Sequence, residues 1–324
     1  MLRDSFNREI HYLRLSVTDR CDFRCFYCLP RGFRDFEAPA EWLNSEEIER
    51  VVGQFAALGV KHVRLTGGEP LVRRELEEIA QRIAGLPGIE ELSLSTNASR
   101  LAEYAAPLYQ AGVRRLNISL DTLDEKTFKQ ITGSRLQPVL AGIEAASAEG
   151  FQPIKINMVI MRGINEHEVG TMIQYCQRHG LTLRFIETMP VGEGGRHASE
   201  YYLPLSEIEA RLREQHRLSL AAMRGSGPAR YFRIDDSELV VGFITPQSQH
   251  FCESCNRVRL SVTGDLHLCL GQEERLALRP LLRGGASDTE IQEAIRQAIA
   301  RKPQRHHFNE SPMAIIRPMS ALGG

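Results

Sequence analysis

From His11 to Glu187 this 324-residue chain alternates strand-like and helix-like segments, and that rhythm limits its fold more than any other feature. Strand-like runs fall at 11–17, 60–65, 90–95, 114–120, 153–160 and 181–186. Amphipathic helical stretches lie between them at 45–58, 73–84, 101–110, 138–149 and 166–179. Ser45-Glu46-Glu47-Ile48 reads as a capped helix start with acids in its first turn, and Gly59 as the stop. Gly112, Gly150 and Gly180 likewise stand between a helix and the next strand. Such alternation predicts parallel βα units. Six units suggest a partial or open barrel, although a doubly wound sheet has the same rhythm.

After Glu187 the rhythm breaks. Met189–Arg196 reads as a Gly-rich linker, 205–217 as a helix, and 224–228 as a flexible loop. Short strands are expected at 231–234, 239–243 and 257–262, with a hairpin at Thr263-Gly264-Asp265 and a helix at 288–301. The break divides the chain into a core, 1–187, and a C-terminal extension, 188–324. Net charge is −1, so no overall field draws the chain to nucleic acid or an acidic membrane. No apolar run approaches the ~20 residues that span a bilayer. The first residues carry charges and no apolar core, unlike a secretory signal. Six of the seven cysteines sit in two tight groups, which fits metal ligation in a reducing cytoplasm better than a disulfide framework.

The first group is Cys21, Cys25 and Cys28, spaced C-x3-C-x2-C directly after the first strand. Three thiols are one short of a closed tetrahedral site, so they suit an iron–sulfur cluster with one open iron. A zinc loop completed by a distant ligand stays open on these residues alone. The second group, Cys252, Cys255 and Cys269, is again a triplet, and His250 or His267 is placed to complete a zinc knuckle. Two triplets favour two incomplete clusters, because zinc would need an unrelated fourth ligand twice. Thr66-Gly67-Gly68-Glu69-Pro70 ends the second strand, on the face where βα barrels bind ligands.

The first triplet, with Tyr27 before its last thiol, and the Gly67-Gly68-Glu69-Pro70 turn resemble the radical S-adenosylmethionine superfamily. The second triplet, Asn256-Arg257-Val258-Arg259 and the terminal Gly323-Gly324 narrow the resemblance to the GTP 3′,8-cyclase family of molybdenum cofactor biosynthesis, over essentially the whole chain. That resemblance implies an incomplete (β/α)6 TIM-type barrel with a C-terminal cluster-binding extension closing its open side. It implies two [4Fe–4S] clusters, one on Cys21, Cys25 and Cys28 and one on Cys252, Cys255 and Cys269. S-adenosylmethionine is expected at the first cluster's open iron, against Tyr27, Gly67, Gly68, Glu69, Ser119 and Met189. GTP is expected at Arg14, Arg64, Ser95, Lys155, Arg257, Val258 and Arg259, with its base on the second cluster. Arg257, Arg259, Gly323 and Gly324 are implied in catalysis, through a tail that also carries Arg317 and Met319.

The implied reaction removes the C3′ hydrogen of GTP with a 5′-deoxyadenosyl radical and joins C3′ to C8. The enzyme is expected to be a cytoplasmic homodimer that hands its product to cyclic pyranopterin monophosphate synthase. Only five of the 40 Lys and Arg residues are lysine, and arginine is the better bidentate phosphate partner. Asn117 and Asp121 are read as pocket lining or as turn caps, and Cys176 as a packed thiol. Ser95-Thr96-Asn97-Ala98 departs from the family's Thr-Thr-Asn-Gly, which questions the local turn. A peptide-modifying radical enzyme and a zinc-stapled binding module are the alternatives.

Overall fold

Polar and apolar residues alternate along each early strand, and in the computed structural model that alternation separates a helix-covered face from a polar one. The structure describes residues 1–29, 32–223, 225, 227–235, 237–308, 310 and 315–323. Six strands, β1 (Tyr12–Ser16), β2 (His62–Thr66), β3 (Glu91–Thr96), β4 (Arg115–Ser119), β5 (Ile154–Ile160) and β6 (Thr182–Glu187), lie side by side, parallel and in chain order. Helices α1 (Ser45–Ala57), α2 (Leu76–Ala84), α3 (Leu101–Gln110), α4 (Glu125–Thr132), α5 (Gln137–Glu149) and α6 (Val169–Arg178) form the crossovers. Leu13, Leu15, Val63, Leu65, Leu94, Ile118, Ile156 and Phe185 share one core with Val52, Phe55, Ile83, Leu108 and Ile143 of the helices. A period of two then sends their strand neighbours to the other face. Those neighbours include Arg14, Arg64, Ser93, Asn117, Lys155 and Arg184, and one register row runs Arg259–Arg14–Arg64–Ser93–Arg115.

The segment after Glu187 adds to both edges of the sheet. It contains α7 (Gly192–Ala198), α8 (Leu205–Gln215), β7 (Leu218–Leu220), β8 (Arg230–Ile234), β9 (Val240–Ile244), β10 (Arg257–Leu260), β11 (Asp265–His267) and β12 (Arg275–Ala277). Three helices follow, α9 (Arg279–Arg283), α10 (Asp288–Ala300) and α11 (Met319–Leu322). Strand β10 pairs parallel with β1, and β9 parallel with β6. The antiparallel pairs β11–β12 and β8–β7 extend the two edges, giving the order β12-β11-β10-β1-β2-β3-β4-β5-β6-β9-β8-β7.

Three local expectations are corrected. The cap of α1 is Asn44, whose side chain accepts from Glu47 N while Glu47 returns the bond, so Ser45 is already helical. Helix α4, capped by Asp124, is an extra helix of about two turns between β4 and α5. The stretch expected as a linker at 189–196 runs into α7, whose glycines are buried. A Cβ on Gly194 would stand 2.8 Å from Phe26 O and one on Gly195 2.3 Å from Met189 O. Glycine is used there for close approach, at Gly194 to the cysteine loop and at Gly195 to the backbone of 189–190, and not for flexibility. Within 224–228, Arg224 and Ser226 lie outside the described residues. No helix among the described residues is long and apolar enough to cross a membrane.

Candidate active site

Two cavity lobes meet over the polar face of the sheet and share Ser95, Asn157, Ile186, Met189 and Met319 as common wall. The first lobe lies at the C-terminal ends of the parallel strands. Cys21, Cys25, Tyr27 and Cys28 line it from the loop after β1, together with Gly67, Gly68, Glu69, Ser119 and Asp121. The β2 turn is laced to that loop: Gly68 N donates to Thr18 O and Glu69 N to Arg20 O, each at 2.8 Å. No side chain fits there. A Cβ would stand 2.3 Å from Thr18 O at Gly67 and 2.2 Å from Arg20 O at Gly68.

Glu69 is buried, and its carboxylate accepts from Leu71 N at 3.0 Å, Thr96 Oγ1 at 2.7 Å and Asn97 N at 2.6 Å. Burial still pushes its carboxyl up to about 7, against those three donors. Asn97 Nδ2 continues the chain of bonds to Asp22 Oδ1 at 2.8 Å, beside Cys21. Ala98 holds φ 60, so the alanine keeps the left-handed turn that glycine adopts freely. Asp121 is a structural acceptor: Oδ2 takes the Tyr27 hydroxyl at 2.7 Å and Oδ1 takes Val159 N at 2.8 Å. Burial raises its carboxyl to about 6. Glu187, absent from the expected site, completes the acidic wall and accepts from Gln247 N and Ser248 N at 3.0 Å.

The second lobe gathers Cys252, Cys255 and Cys269 with Arg14, Arg64, Ser95, Arg257, Val258 and Arg259. Lys155 is not on that wall. It lines a narrower extension with Tyr12, Arg64 and Arg184, and donates to the Tyr231 hydroxyl at 3.0 Å. Burial, then Arg184, Arg115 and Arg64, push its ammonium down to about 7. Arg184 was not expected from the sequence. It is buried on β6, donates to Asn117 Oδ1 at 2.5 Å, and burial lowers it to about 10. The repeated Leu-Arg-apolar pattern of Leu13-Arg14-Leu15 and Leu183-Arg184-Phe185 is the signal that marks it.

Distant segments hold the second thiol loops in place. Arg8, buried against Asp4 at 2.6 Å, donates to Cys252 O at 2.8 Å, Gln304 O at 2.7 Å and Pro303 O at 2.6 Å. Arg317 donates to Leu270 O at 3.0 Å and Gln272 O at 2.6 Å. The tail is ordered against the cavity. Arg259 Nη1 donates to Leu322 O at 3.2 Å and to Gly323 O, and a Cβ on Gly323 would stand 2.2 Å from Thr66 Cγ2. Gly324 lies outside the described residues.

Among the described residues the first lobe is lined by Glu69, Asp121 and Glu187 and no Lys or Arg. The second is lined by Arg14, Arg64, Arg184, Arg257, Arg259 and Lys302 and no Asp or Glu. Neither His250 nor His267 lines the second lobe. His306 does, stacked on Phe308 with centroids 4.3 Å apart. Three thiols facing a shared cavity in each lobe are a donor set suited to a cluster with an open iron. Among the described residues no three His, Cys, Asp or Glu side chains are drawn together tightly enough to hold a single metal ion.

Comparison with known proteins agrees with this geometry. Residues 15–176 match the profile of the Radical SAM superfamily, and residues 181–308 that of Molybdenum Cofactor Synthesis C. GTP 3′,8-cyclase 1 of Pseudomonas aeruginosa is 48% identical over 99% of this chain and 98% of its own length. The GTP 3′,8-cyclase of Paracoccus denitrificans is 48% identical over 100% and 96%, and that of Hydrogenovibrio crunogenus 45% over 100% and 99%. The crystal structure of Streptococcus suis SuiB bound to S-adenosylmethionine superposes with a TM-score of 0.64 over 97% of this chain and 77% of that one, at 15% identity, which is likeness of fold. A parallel α/β sheet of TIM type, full-length relatives at this identity and the two matched profiles make the chain a member of the GTP 3′,8-cyclase family within the radical S-adenosylmethionine superfamily.

Proposed function

We propose that the chain converts GTP to (8S)-3′,8-cyclo-7,8-dihydroguanosine 5′-triphosphate, the first step of molybdenum cofactor biosynthesis. The observation that carries this reading is the charge division of the cavity. S-adenosylmethionine bears a sulfonium and an ammonium and suits the lobe walled by Glu69, Asp121 and Glu187. A triphosphate needs several fixed cations and suits the lobe walled by arginines.

Cys21, Cys25 and Cys28 would hold one [4Fe–4S] cluster and Cys252, Cys255 and Cys269 the other. When bound, the first cluster and S-adenosylmethionine supply a radical that removes the C3′ hydrogen of GTP, after which C3′ and C8 join. The chain's residues bind and orient the reactants and keep water out. Tyr27, Gly67, Gly68, Glu69, Ser119 and Met189 form the S-adenosylmethionine wall. Arg14, Arg64, Ser95, Lys155, Arg257, Val258 and Arg259 serve GTP, with Arg184 added from its position beside Lys155. Residues 1–187 act as an incomplete (β/α)6 barrel, and residues 188–324 close its open side and bring Gly323 and Gly324 to the reactants. Support for that closure is the edge pairing of β10 with β1 and β9 with β6. The working unit is a cytoplasmic homodimer whose product goes to cyclic pyranopterin monophosphate synthase.

The test is anaerobic reconstitution followed by incubation with GTP, S-adenosylmethionine and a reductant. About eight iron per chain and GTP-dependent release of 5′-deoxyadenosine are expected. Zinc in place of iron, or release indifferent to GTP, overturns the reading.

A further inference from the structure

Lys302, just past α10, is only 2% exposed. Its ammonium donates to the carbonyl of Leu268, the residue before Cys269, and it lines the same lobe as all three thiols of the second triplet. A buried ammonium is costly unless an opposite charge faces it. Among the described residues no carboxylate lines that lobe. Arg8 is paired with Asp4 and reaches Cys252 O, and Arg257 and Arg259 share the lobe with Lys302 and are assigned to the triphosphate. What stands opposite Lys302 is the thiol set itself.

The first triplet has the opposite setting: among the described residues its lobe is lined by Glu69, Asp121 and Glu187 and by no Lys or Arg.

We propose that Lys302 is the fixed counter-charge of the second three-cysteine site, and that its charge makes the cluster held there easier to reduce than the one held by Cys21, Cys25 and Cys28. The inference rests on the reading of both triplets as cluster sites. A four-iron cluster on three thiolates is an anion, and one electron from an external low-potential one-electron donor adds a further negative charge. A fixed cation in a buried wall therefore favours the reduced form, whereas nearby carboxylates disfavour it.

The test uses the full chain, reconstituted anaerobically and titrated with dithionite through viologen mediators. Electron paramagnetic resonance follows both reduced clusters, and the second is identified as the signal that shifts when GTP is added. K302Q keeps a donor for Leu268 O and removes only the charge, while K302R keeps the charge. With wild-type iron content, K302Q is expected to lower the reduced-to-oxidised ratio of the GTP-sensitive cluster about tenfold at a fixed potential, which is ~59 mV for one electron. The other signal stays in place, and K302R restores the shifted one. Loss of about half the iron in K302Q and K302M, with full iron in K302R, supports the same role, because the charge is then needed to hold the cluster. Full iron with an unmoved signal in K302Q overturns the proposal, as does K302R behaving like K302Q. A wild-type chain that takes iron for one cluster only removes the reading of the second triplet and the inference with it.

Discussion

The two lobes share a wall of Ser95, Asn157, Ile186, Met189 and Met319, yet their charges come from different parts of the fold. The acids Glu69, Asp121 and Glu187 sit at or just past the ends of β2, β4 and β6, where the chain turns and backbone donors are left to bind them. The arginines Arg14, Arg64, Arg184, Arg257 and Arg259 sit inside strands, at the period-two positions that face away from the helices. A strand-end carboxylate is therefore held by donors that favour its charge, and at Glu69 and Asp121 burial still raises the carboxyl against them. A strand-interior guanidinium is held by its register and lies beside others like it, so that row suits an anion. One lobe is prebuilt by its own hydrogen bonds, and the other presents cations that suit an anionic ligand.

The sharpest way to break this comparison is to remove a thiol from each lobe. Cys21→Ala should abolish S-adenosylmethionine cleavage outright, because Cys25 and Cys28 alone leave the cluster one thiol short. Cys252→Ala should spare more of that cleavage and lose the cyclised product. Chromatography of 5′-deoxyadenosine and of the cyclised nucleotide separates the two, and equal loss of cleavage in both variants would mean that the lobes do not work independently.

A second test exchanges the ligand classes. Arg259→Ala should weaken GTP binding by about 2 kcal/mol, roughly thirtyfold, as expected for a charge-assisted bond. S-adenosylmethionine affinity should change by less than about threefold. Titration calorimetry with each ligand measures both, and a matching loss for S-adenosylmethionine would show that the tail contact from Arg259 to Gly323 serves both lobes.

Lys155 brings pH into the comparison. Its ammonium is held down to about 7 by burial and by Arg184, Arg115 and Arg64 in the free chain. A triphosphate nearby restores the proton, so GTP binding takes up a proton wherever the free lysine has lost one. The sign is that GTP affinity falls as pH rises above about 7, by at most about tenfold per unit for a single linked proton. Calorimetry in buffers of different ionisation enthalpy counts that proton, and Lys155→Met should erase the dependence. A pH-independent affinity would place the triphosphate away from the narrow extension.

How much of this was legible in the sequence depends on the range of the signal. The six βα units were readable because period-two strands and amphipathic helices repeat locally, and Gly59 and Gly150 hold the positive φ their stop positions require. Helix α7 was not readable, because its glycines answer to Phe26 and Met189, neither of which their local pattern can name. Arg14 and Arg64 were placed by resemblance, yet Arg184 carries the same strand pattern and was missed for want of a matching motif. Lys302 gave no local signal at all, since its partners Leu268 and Cys269 lie over thirty residues upstream. The order of the tail was not readable locally either: Arg259 and Arg317, the first of them far upstream, staple 317–323 to the cavity wall.

The smallest expected effect sharpens the acidic side. Tyr27 lies between the first two thiols and the third, and its hydroxyl meets Asp121 at 2.7 Å. If that lobe is prebuilt by several bonds, losing one should cost little beyond its own energy. Tyr27→Phe should destabilise the chain by about 1 kcal/mol, or about 2 °C in Tm, and leave iron content unchanged. Cleavage of S-adenosylmethionine should fall less than about fivefold, because Val159 N still anchors Asp121 and Glu69 keeps its three donors. Melting curves and the cleavage rate check both expectations. A collapse comparable to that of Cys21→Ala would make the hydroxyl part of the chemistry and not of the scaffold.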